Sequence, residues 1–232
     1  MSLRDAWEQH AADWVEWARA PDHDTYWRFH RDGFFALVPP PGRRTLDMGC
    51  GEGRVSRDLA ALGHRVVGVD LSLTLVRAAR DHPQPVAVAR ADAACLPFAD
   101  HSFDLVVAFM TLHDMDEPAS AVSELARVLQ PGGQAAVAVV HPINSAGEFV
   151  GDRGTDDRPF VINGSYLAGH RYEMEAERDG RSMTFVSQHH SLAAYSRMIE
   201  PTGLLIEACA SRPPRTPPTA GHACRCSCTS AW

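Results

Sequence analysis

The sequence predicts an α/β fold built on a doubly wound, mostly parallel sheet, and three observations lead to that prediction. Apolar runs rich in Val alternate with amphipathic runs between about residues 45 and 140. Runs that are apolar throughout are typical of strands buried on both faces, as in parallel sheets covered by helices. Gly49, Gly51 and Gly53 follow the first apolar run and precede a helical pattern, as at the ligand edge of doubly wound domains.

The elements follow one another in a regular order. Residues 5–38 predict two helices, with Asp24 as the N-cap of the second. Five strands are predicted, at RTLDMG, RVVGVDL, PVAVARAD, FDLVVAFMTL and QAAVAVVHP. Helices between them are predicted at RVSRDLAALG, at SLTLVRAARD with Ser72 as its cap, and at PASAVSELARVLQPGG, which Pro131 ends. The pattern is irregular from His141 to about Gly180, which indicates an insertion, before a helix at HHSLAAYSRMIEPTG and a strand at LLIEACA.

Composition excludes several function classes. The chain has 232 residues, a net charge of −7 and 45% hydrophobic residues, which is typical of one globular domain. An acidic balance argues against a large nucleic-acid-binding face. All 22 basic residues are Arg, so lysine-dependent phosphate loops and Schiff bases are excluded. No run is apolar enough to span a membrane and no secretory signal is evident, so we expect a cytoplasmic protein.

The six cysteines predict no metal site. Three of them form C-x-C-x-C at Cys224, Cys226 and Cys228, without the second cluster that zinc sites usually have. We therefore expect free thiols in a reducing compartment.

The glycine loop predicts a ligand site, and two ligand classes compete for it. A dinucleotide fingerprint reads G-x-G-x-x-G, whereas this chain has G-x-G-x-G, with Arg54 where the third glycine of that fingerprint would stand. Asp47, just ahead of the glycines, would repel a pyrophosphate but suits a cationic group. Asp70 ends the second predicted strand, where a carboxylate can accept both hydroxyls of a ribose.

At these residues the chain resembles a known family. The stretch LDMGCGEG resembles the first motif of class I S-adenosylmethionine-dependent methyltransferases, and VVGVDLS, ARADAACLPFADHSFDLVVA and ARVLQPGG resemble their later motifs in the same order. The resemblance covers residues 40–142 closely and 180–208 loosely. It implies a Rossmann-like fold, S-adenosylmethionine as cofactor and S-adenosylhomocysteine as product.

The resemblance also implies cofactor contacts at matching positions. Asp47 would meet the ammonium end of the cofactor, Asp70 its ribose, and Asp92 with the Ala93 N–H the edge of its adenine. Leu71 would pack on the adenine face. The full set of expected cofactor contacts is Asp47, Gly49, Cys50, Gly51, Gly53, Asp70, Leu71, Asp92, Ala93, Met110 and Tyr26.

Methyl transfer requires donor and acceptor to be held in line, and a base is needed only where the acceptor must lose a proton. His113 and His141 follow the fourth and fifth predicted strands, so both are candidate catalytic bases. The alternative is that His113 packs against the adenosine and His141 bonds to the insertion. Expected acceptor contacts are Trp27, His30, Tyr166, Arg171, Tyr172 and His189, although Trp27 could instead pack the N-terminal helix on the sheet. We expect His189 and His190 to begin the last helix.

The predicted organisation is one domain with five parts. These are a helical lid (1–39), a cofactor-binding core (40–142), an acceptor-site insertion (143–185), the last helix and strand (186–209) and an irregular tail (210–232). Four prolines at positions 213, 214, 217 and 218 predict that the residues after about Ala210 do not form the last strand expected of the family. A shifted reading frame is one hypothesis for such a tail.

The predicted function is methyl transfer from S-adenosylmethionine to a small organic acceptor, at oxygen rather than at nitrogen or carbon. We expect no nucleic-acid or membrane partner, and a monomer or homodimer. Two alternatives are a protein that binds the same cofactor in a non-methylating role and a methyltransferase acting on protein or RNA. A nicotinamide-dependent oxidoreductase is disfavoured by Arg54 and Asp47.

Overall fold

A seven-stranded sheet forms the centre of the computed structural model, which describes residues 1–151, 158–211 and 221–228. Its strands are β1 (Thr45–Met48), β2 (Val66–Asp70), β3 (Val88–Arg90), β4 (Phe103–Phe109), β5 (Leu129–Val140), β10 (Leu204–Ser211) and β11 (Gly221–Cys228). The strand order is β10-β11-β5-β4-β1-β2-β3. Strands β1 to β5 are parallel, and β11 is antiparallel to both of its neighbours. The predicted doubly wound, mostly parallel fold is confirmed.

Helices pack on both faces of this sheet. The described helices are α1 (Leu3–Gln9), α2 (Ala11–Arg19), α3 (Arg31–Phe35), α4 (Arg54–Ala61), α5 (Leu73–Arg80), α6 (Pro118–Val128), α7 (Ile143–Ala146) and α8 (Leu192–Ile199). The Ser72 cap of α5 is confirmed, because its hydroxyl accepts the Leu75 N–H at 3.1 Å. Along β4, Val106 and Ala108 pack in one core cluster while Leu105 and Val107 pack in another. This alternation explains why the strand is apolar throughout: each face meets a separate core.

The N-terminal segment contains more breaks than the predicted two helices. A capping box between Ser2 and Asp5 begins α1, and the chain breaks again at His10 before α2. Asp24 does accept the Tyr26 N–H at 2.9 Å. The segment that follows is a π-helical turn over Tyr26–His30 that leads into α3, so the expectation of one continuous second helix is wrong.

The insertion is more regular than the sequence predicted. It contains one short pair of strands, β6 (Gly147–Phe149) with β7 (Phe160–Ile162), and one long hairpin, β8 (His170–Arg178) with β9 (Arg181–His189). Asp179 and Gly180 form the two-residue turn of the long hairpin, and both have positive φ (51° and 73°). An Asp-Gly pair is a strong hairpin signal, and the prediction of an irregular segment overlooked it.

The start of the last helix also differs from the prediction. His189 is the final residue of β9, and α8 begins at Leu192 after an N-cap at Ser191, whose hydroxyl accepts the Ala194 N–H at 3.2 Å. The expectation that His189 and His190 begin this helix is therefore wrong. A serine that can cap a helix stops the helical pattern from extending back to the histidines.

The prediction for the tail is wrong at Gly221–Cys228, which form β11 between β5 and β10. All four prolines lie at positions 212–220, outside the described residues. The strand itself contains no proline, so its backbone can hydrogen-bond to a neighbour on each side. That pairing does not require the period-two apolar pattern on which the prediction relied.

Candidate cofactor and acceptor site

A backbone cradle lies at the carboxyl end of β1, formed by residues 49–53. Gly49, Gly51 and Gly53 all have positive φ (73°, 56° and 87°), a conformation that favours glycine. A Cβ on Gly49 would lie 2.1 Å from the Thr111 hydroxyl, so the segment after β4 packs directly on the cradle. The glycines therefore provide the close approach of backbone that the sequence predicted.

Asp47 is buried beneath the cradle. It is 1% exposed, and one carboxylate oxygen accepts the Ser56 hydroxyl at 2.5 Å. Burial raises the pKa of Asp47 to about 7, although the Ser56 bond opposes the shift. A cation bound nearby would favour the ionised form.

Asp70 connects the cradle to the start of α5. Its two carboxylate oxygens accept the Gly51 N–H at 2.8 Å and the Ser72 N–H at 2.9 Å. Burial raises the pKa of Asp70 to about 6 despite these bonds. Each carboxylate oxygen can accept a second hydrogen bond, so the residue can hold two loops and still accept a sugar hydroxyl.

Asp92 lies two residues after the end of β3, the strand beside β2. Both of its carboxylate oxygens have partners. One accepts the Ala94 N–H at 2.9 Å, and the other pairs with the Arg4 guanidinium of α1 at 2.6 Å. Ala93 is buried, and the Leu71 carbonyl accepts from the Arg90 guanidinium at 2.9 Å. Helix α1 thus lies against the position predicted for the adenine edge.

Further bonds fasten α1 to the same edge of the sheet. Glu8 accepts the Thr74 hydroxyl at 2.8 Å, near the start of α5. Asp116, after β4, accepts the N–H groups of Leu3 at 2.8 Å and Arg4 at 3.1 Å. Sequence reasoning missed these contacts, because they join residues more than 60 positions apart and leave no local pattern.

Three of the predicted cofactor contacts are accounted for by packing, burial or chain geometry. These are Tyr26, Cys50 and Met110. Tyr26 is 1% exposed, packs edge-on against Phe109 and donates its hydroxyl to Asp58 at 2.7 Å. The Cys50 thiol is buried, which raises its pKa. Met110 has a positive φ of 53°, which turns the chain sharply after β4. Their predicted contacts with a cofactor stay predictions.

The two histidines predicted as bases differ in their surroundings. His113 is 6% exposed, and burial lowers its pKa to about 4. Its Nδ1 has no hydrogen-bond partner among residues 1–151, 158–211 and 221–228, and its Nε2 lies 3.7 Å from the Asp114 carboxylate. His141 accepts the Ile143 N–H on Nδ1 at 3.2 Å, and partial burial lowers its pKa.

His189 holds the insertion together. Its Nδ1 bonds to the Ser145 hydroxyl at 2.7 Å and its Nε2 to the Tyr166 carbonyl at 2.8 Å, while its ring stacks on His170. The Tyr166 hydroxyl accepts the Leu192 N–H at 3.2 Å. Of the six predicted acceptor contacts, His189 thus binds Ser145 and Tyr166 of the insertion, and Tyr166 joins the insertion to α8.

The structure separates the other predicted acceptor contacts. Trp27 is 58% exposed under the Arg31 guanidinium, so it does not pack the N-terminal segment on the sheet, and His30 is partly exposed beside it. Arg171 is exposed and donates to the Met1 carbonyl at 2.5 Å. Tyr172 faces Asp114 and Ser187, and burial raises its pKa to about 12. Of these four residues, Tyr172 is the one that the fold brings to the loop after β4.

Comparison with known proteins agrees with this geometry. Residues 46–137 match the family described as "Methyltransferase domain", a range that runs from β1 into β5 and includes the cradle. Over less than half of its length, the chain is thus similar to a methyltransferase domain. The match ends before the insertion, so it does not bear on residues 143–185.

Individual relatives are similar to parts or to all of the chain. A demethylmenaquinone methyltransferase of Renibacterium salmoninarum is 39% identical over 103 residues, 44% of this chain and 44% of that protein. The chain thus spans about half the length of the curated relatives it matches. An S-adenosylmethionine-dependent methyltransferase from Mesorhizobium loti has a TM-score of 0.68 at 22% identity, covering 89% of this chain and 99% of its own.

A second solved structure shows how widely this fold is used. The [4+2]-cyclase SpnF has a TM-score of 0.67 at 16% identity and covers 99% of this chain and 97% of its own. Both structural likenesses show the fold alone. Within the described part of the chain, no helix is long and apolar enough to cross a membrane.

Proposed function

We propose that the protein transfers a methyl group from S-adenosylmethionine to a small aromatic acceptor that carries an ionisable hydroxyl. One observation carries the cofactor assignment: three neighbouring parallel strands, β1, β2 and β3, each end at or near an acid beside the glycine cradle. These acids are Asp47, Asp70 and Asp92. Together they suit a cationic nucleoside and oppose a pyrophosphate.

The buried acids give cofactor binding an expected pH dependence. Burial raises the pKa of Asp47 to about 7 and that of Asp70 to about 6, so both are partly protonated near neutral pH. A cationic ligand favours their ionised forms. Binding of S-adenosylmethionine should therefore release protons and strengthen as the pH rises from 6 to 8.

The acceptor assignment rests on the relatives and on the chemistry of the transfer. Their name specifies a quinone-type substrate, whose reduced form carries ring hydroxyls. An ionised ring hydroxyl shares its charge with neighbouring ring carbons, so either atom can attack the methyl group. The sequence favoured oxygen, whereas the quinone relatives favour a ring carbon. Assembly as a monomer or homodimer stays a prediction.

Calorimetry tests the cofactor assignment. We expect binding of S-adenosylmethionine and S-adenosylhomocysteine but not of a nicotinamide dinucleotide, with an enthalpy that depends on the ionisation heat of the buffer. Asp47→Asn should reduce the proton release. Asp32→Asn, at an exposed acid of α3, is the matched control and should leave binding unchanged. Tighter binding of the dinucleotide would overturn the proposal.

Product analysis tests the acceptor. With methyl-¹³C cofactor and a panel of phenols and hydroquinones, methoxy and ring-methyl carbons give well-separated NMR signals. Methyl transfer also forms one S-adenosylhomocysteine per product. A complete absence of this by-product would instead favour a non-methylating role, which the similarity of the fold to a [4+2]-cyclase keeps as the second candidate.

A further inference from the structure

A third buried acid, Asp114, lies close to the cradle but on its acceptor side. The short 3₁₀ turn Leu112–Asp114 follows β4 directly, and the left-handed Met110 (φ 53°) directs the chain into it. Thr111 packs against Gly49 of the cradle, three residues before Asp114. Asp114 therefore belongs to the segment after β4 that packs on the cradle.

Polar groups from four other elements surround Asp114. The Ser187 hydroxyl of β9 donates to its Oδ1 at 2.6 Å. Tyr172 of β8 and Tyr195 of α8 lie close enough that the acid raises the pKa of each hydroxyl beyond the effect of burial. The Trp7 indole of α1 faces the carboxyl without a full hydrogen bond.

Within the described part of the chain, no arginine pairs with this acid. Its side chain is 14% exposed, and its one ion-pair contact among the described residues is with His113 at 3.7 Å. Burial lowers the pKa of His113 to about 4, so that ring is neutral at physiological pH. A buried carboxyl without a charged partner is costly and is a common feature of functional sites.

One buried nitrogen next to the acid lacks a hydrogen-bond partner among the described residues. It is Nδ1 of His113, whose other ring nitrogen, Nε2, lies 3.7 Å from the Asp114 carboxylate. Folded proteins satisfy nearly all such groups. A polar ligand such as an acceptor hydroxyl would supply the missing partner.

We propose that Asp114 is the catalytic group that removes the proton of the acceptor hydroxyl, and that Ser187 is a positioning residue that orients the carboxylate. This inference rests on the proposed methyl transfer. It moves the base from the predicted histidines, His113 and His141, to the acid next to one of them. The neutral His113 then binds the acceptor rather than removing its proton.

The step balances in atoms and electrons. The acceptor O–H proton moves to an Asp114 oxygen, and the resulting anion attacks the methyl carbon of the sulfonium. The carbon–sulfur bond breaks and its electron pair remains on sulfur, which gives neutral S-adenosylhomocysteine. If the bond forms at a ring carbon, that carbon then loses its own proton. Asp114 returns the first proton to solvent.

Basicity supports Asp114 over His113. Burial raises the pKa of Asp114 to about 8, whereas that of His113 falls to about 4. A phenol has a pKa of about 10, so proton transfer to the acid is unfavourable by about a hundredfold and transfer to the histidine by about a millionfold. A base whose pKa lies near the working pH is the more effective one.

The test compares Asp114→Asn with wild type on two acceptors. Asparagine has the same shape and still accepts the Ser187 hydroxyl, so the change removes basicity with little loss of packing. With a phenol of pKa about 10, we expect kcat to fall by about 10²–10⁴. With a phenol that is already ionised at the assay pH, the loss should be less than tenfold. Binding of S-adenosylmethionine should stay within twofold, and Asp100→Asn, at an exposed turn acid, is the control.

The pH profile gives a second, independent readout. In wild type, kcat/KM should rise with pH as Asp114 ionises, and Asp114→Asn should remove this limb. Ser187→Ala removes a bond that lowers the pKa of the acid, so it should move the limb to higher pH. This second variant keeps the test decisive if Asp114→Asn does not fold.

Three results would overturn the assignment of the base. One is an equal loss of kcat in Asp114→Asn on ionised and on un-ionised phenols. Another is a rise of kcat/KM with pH that persists in Asp114→Asn but disappears in His113→Gln. The third is a rise of kcat/KM that Ser187→Ala does not move to higher pH. Failure of the proposed function looks different, because wild type would then bind no S-adenosylmethionine or form no S-adenosylhomocysteine with any acceptor. That result would remove both proposals.

Discussion

The cofactor edge and the acceptor side of this protein are built in different ways. The cofactor edge uses residues 47–53, which are contiguous, together with Asp70 and Asp92 at the ends of the next two strands. The acceptor side combines Asp114 with groups from α1, β8, β9 and α8. One region is thus set by backbone conformation and strand order, and the other by side chains that meet only when the chain has folded.

Both regions contain buried acids, but they stabilise them differently. Two backbone N–H groups bond to Asp70, whereas the bond to Asp114 comes from a single side-chain hydroxyl. The pKa rises to about 6 in the first case and to about 8 in the second. The comparison teaches that burial shifts the pKa of the acid further on the acceptor side, so that side carries the larger cost in stability when its acid ionises.

The largest expected effect is on stability, and it comes from the cost of ionising the buried Asp114. An unfolded aspartate has a pKa near 3.9. Between about pH 4 and pH 8 the folded protein holds a proton on Asp114 that the unfolded chain has lost, so the free energy of unfolding falls as the pH rises through that range. At pH 8 and above, Asp114→Asn should be more stable than wild type by on the order of 4–5 kcal/mol.

Urea unfolding at pH 5 and at pH 8.5 measures this difference. At pH 5 the two proteins should have similar stability, because the acid is protonated in the folded state. Parallel stability curves over the whole range would show that Asp114 is ionised or exposed, and the contrast between the two regions would then be lost.

The next effect tests the backbone character of the cofactor edge. Gly49→Ala places a Cβ 2.1 Å from the Thr111 hydroxyl and on a positive φ, so it should lower the free energy of unfolding by about 2–4 kcal/mol. Gly132→Ala is the matched control: its φ is also positive, at 77°, but nothing lies within 4 Å of the added atom. Gly132→Ala should lower the free energy of unfolding by about 1–2 kcal/mol.

Thr111→Ala in the Gly49→Ala background separates the two contributions. Removing the hydroxyl should restore the part of the loss that comes from the clash, while the part due to positive φ remains. If Gly49→Ala and Gly132→Ala cost the same, the segment after β4 does not pack tightly on the cradle.

A smaller effect concerns cofactor affinity. Asp70→Ala should weaken binding of S-adenosylmethionine by about 1–3 kcal/mol, because charge-assisted hydrogen bonds to the ribose are lost. Asp32→Ala is the control, and calorimetry at pH 8 measures both. Unchanged affinity in the Asp70 variant would contradict the ribose role and leave the acid with its bonds to Gly51 and Ser72 alone.

The smallest effect concerns the cover that α1 forms over the cofactor edge. Asp116→Ala removes the acceptor of two N–H groups in the first turn of α1 and should lower stability by about 1 kcal/mol. Hydrogen exchange of α1 should become faster, as should both association and dissociation of the cofactor. Asp13→Ala, at an exposed acid of α2, should change none of these. Equal exchange in both variants would mean that Asp116 does not hold α1 in place.

The sequence predicted the cofactor half of the fold well and the acceptor half poorly. It identified β1 to β5, the Ser72 cap and the glycine loop, because these depend on local propensity, turn chemistry and the apolar period of each strand. It missed the β8–β9 hairpin, whose Asp-Gly turn was present but whose first strand, β8, is mostly exposed and lacks a clear apolar face. It also missed β11, whose place depends on pairing with distant strands.

By itself, then, the sequence determined the doubly wound sheet and the row of acids beside the glycine cradle. Those features follow from short stretches of chain and from the rule that parallel strands present their carboxyl ends at one edge. Only the tertiary structure decided that Asp114, rather than a histidine, faces Ser187 in a buried and uncharged setting. Burial and hydrogen bonding set the basicity of a side chain, and both depend on neighbours that lie far away in the sequence.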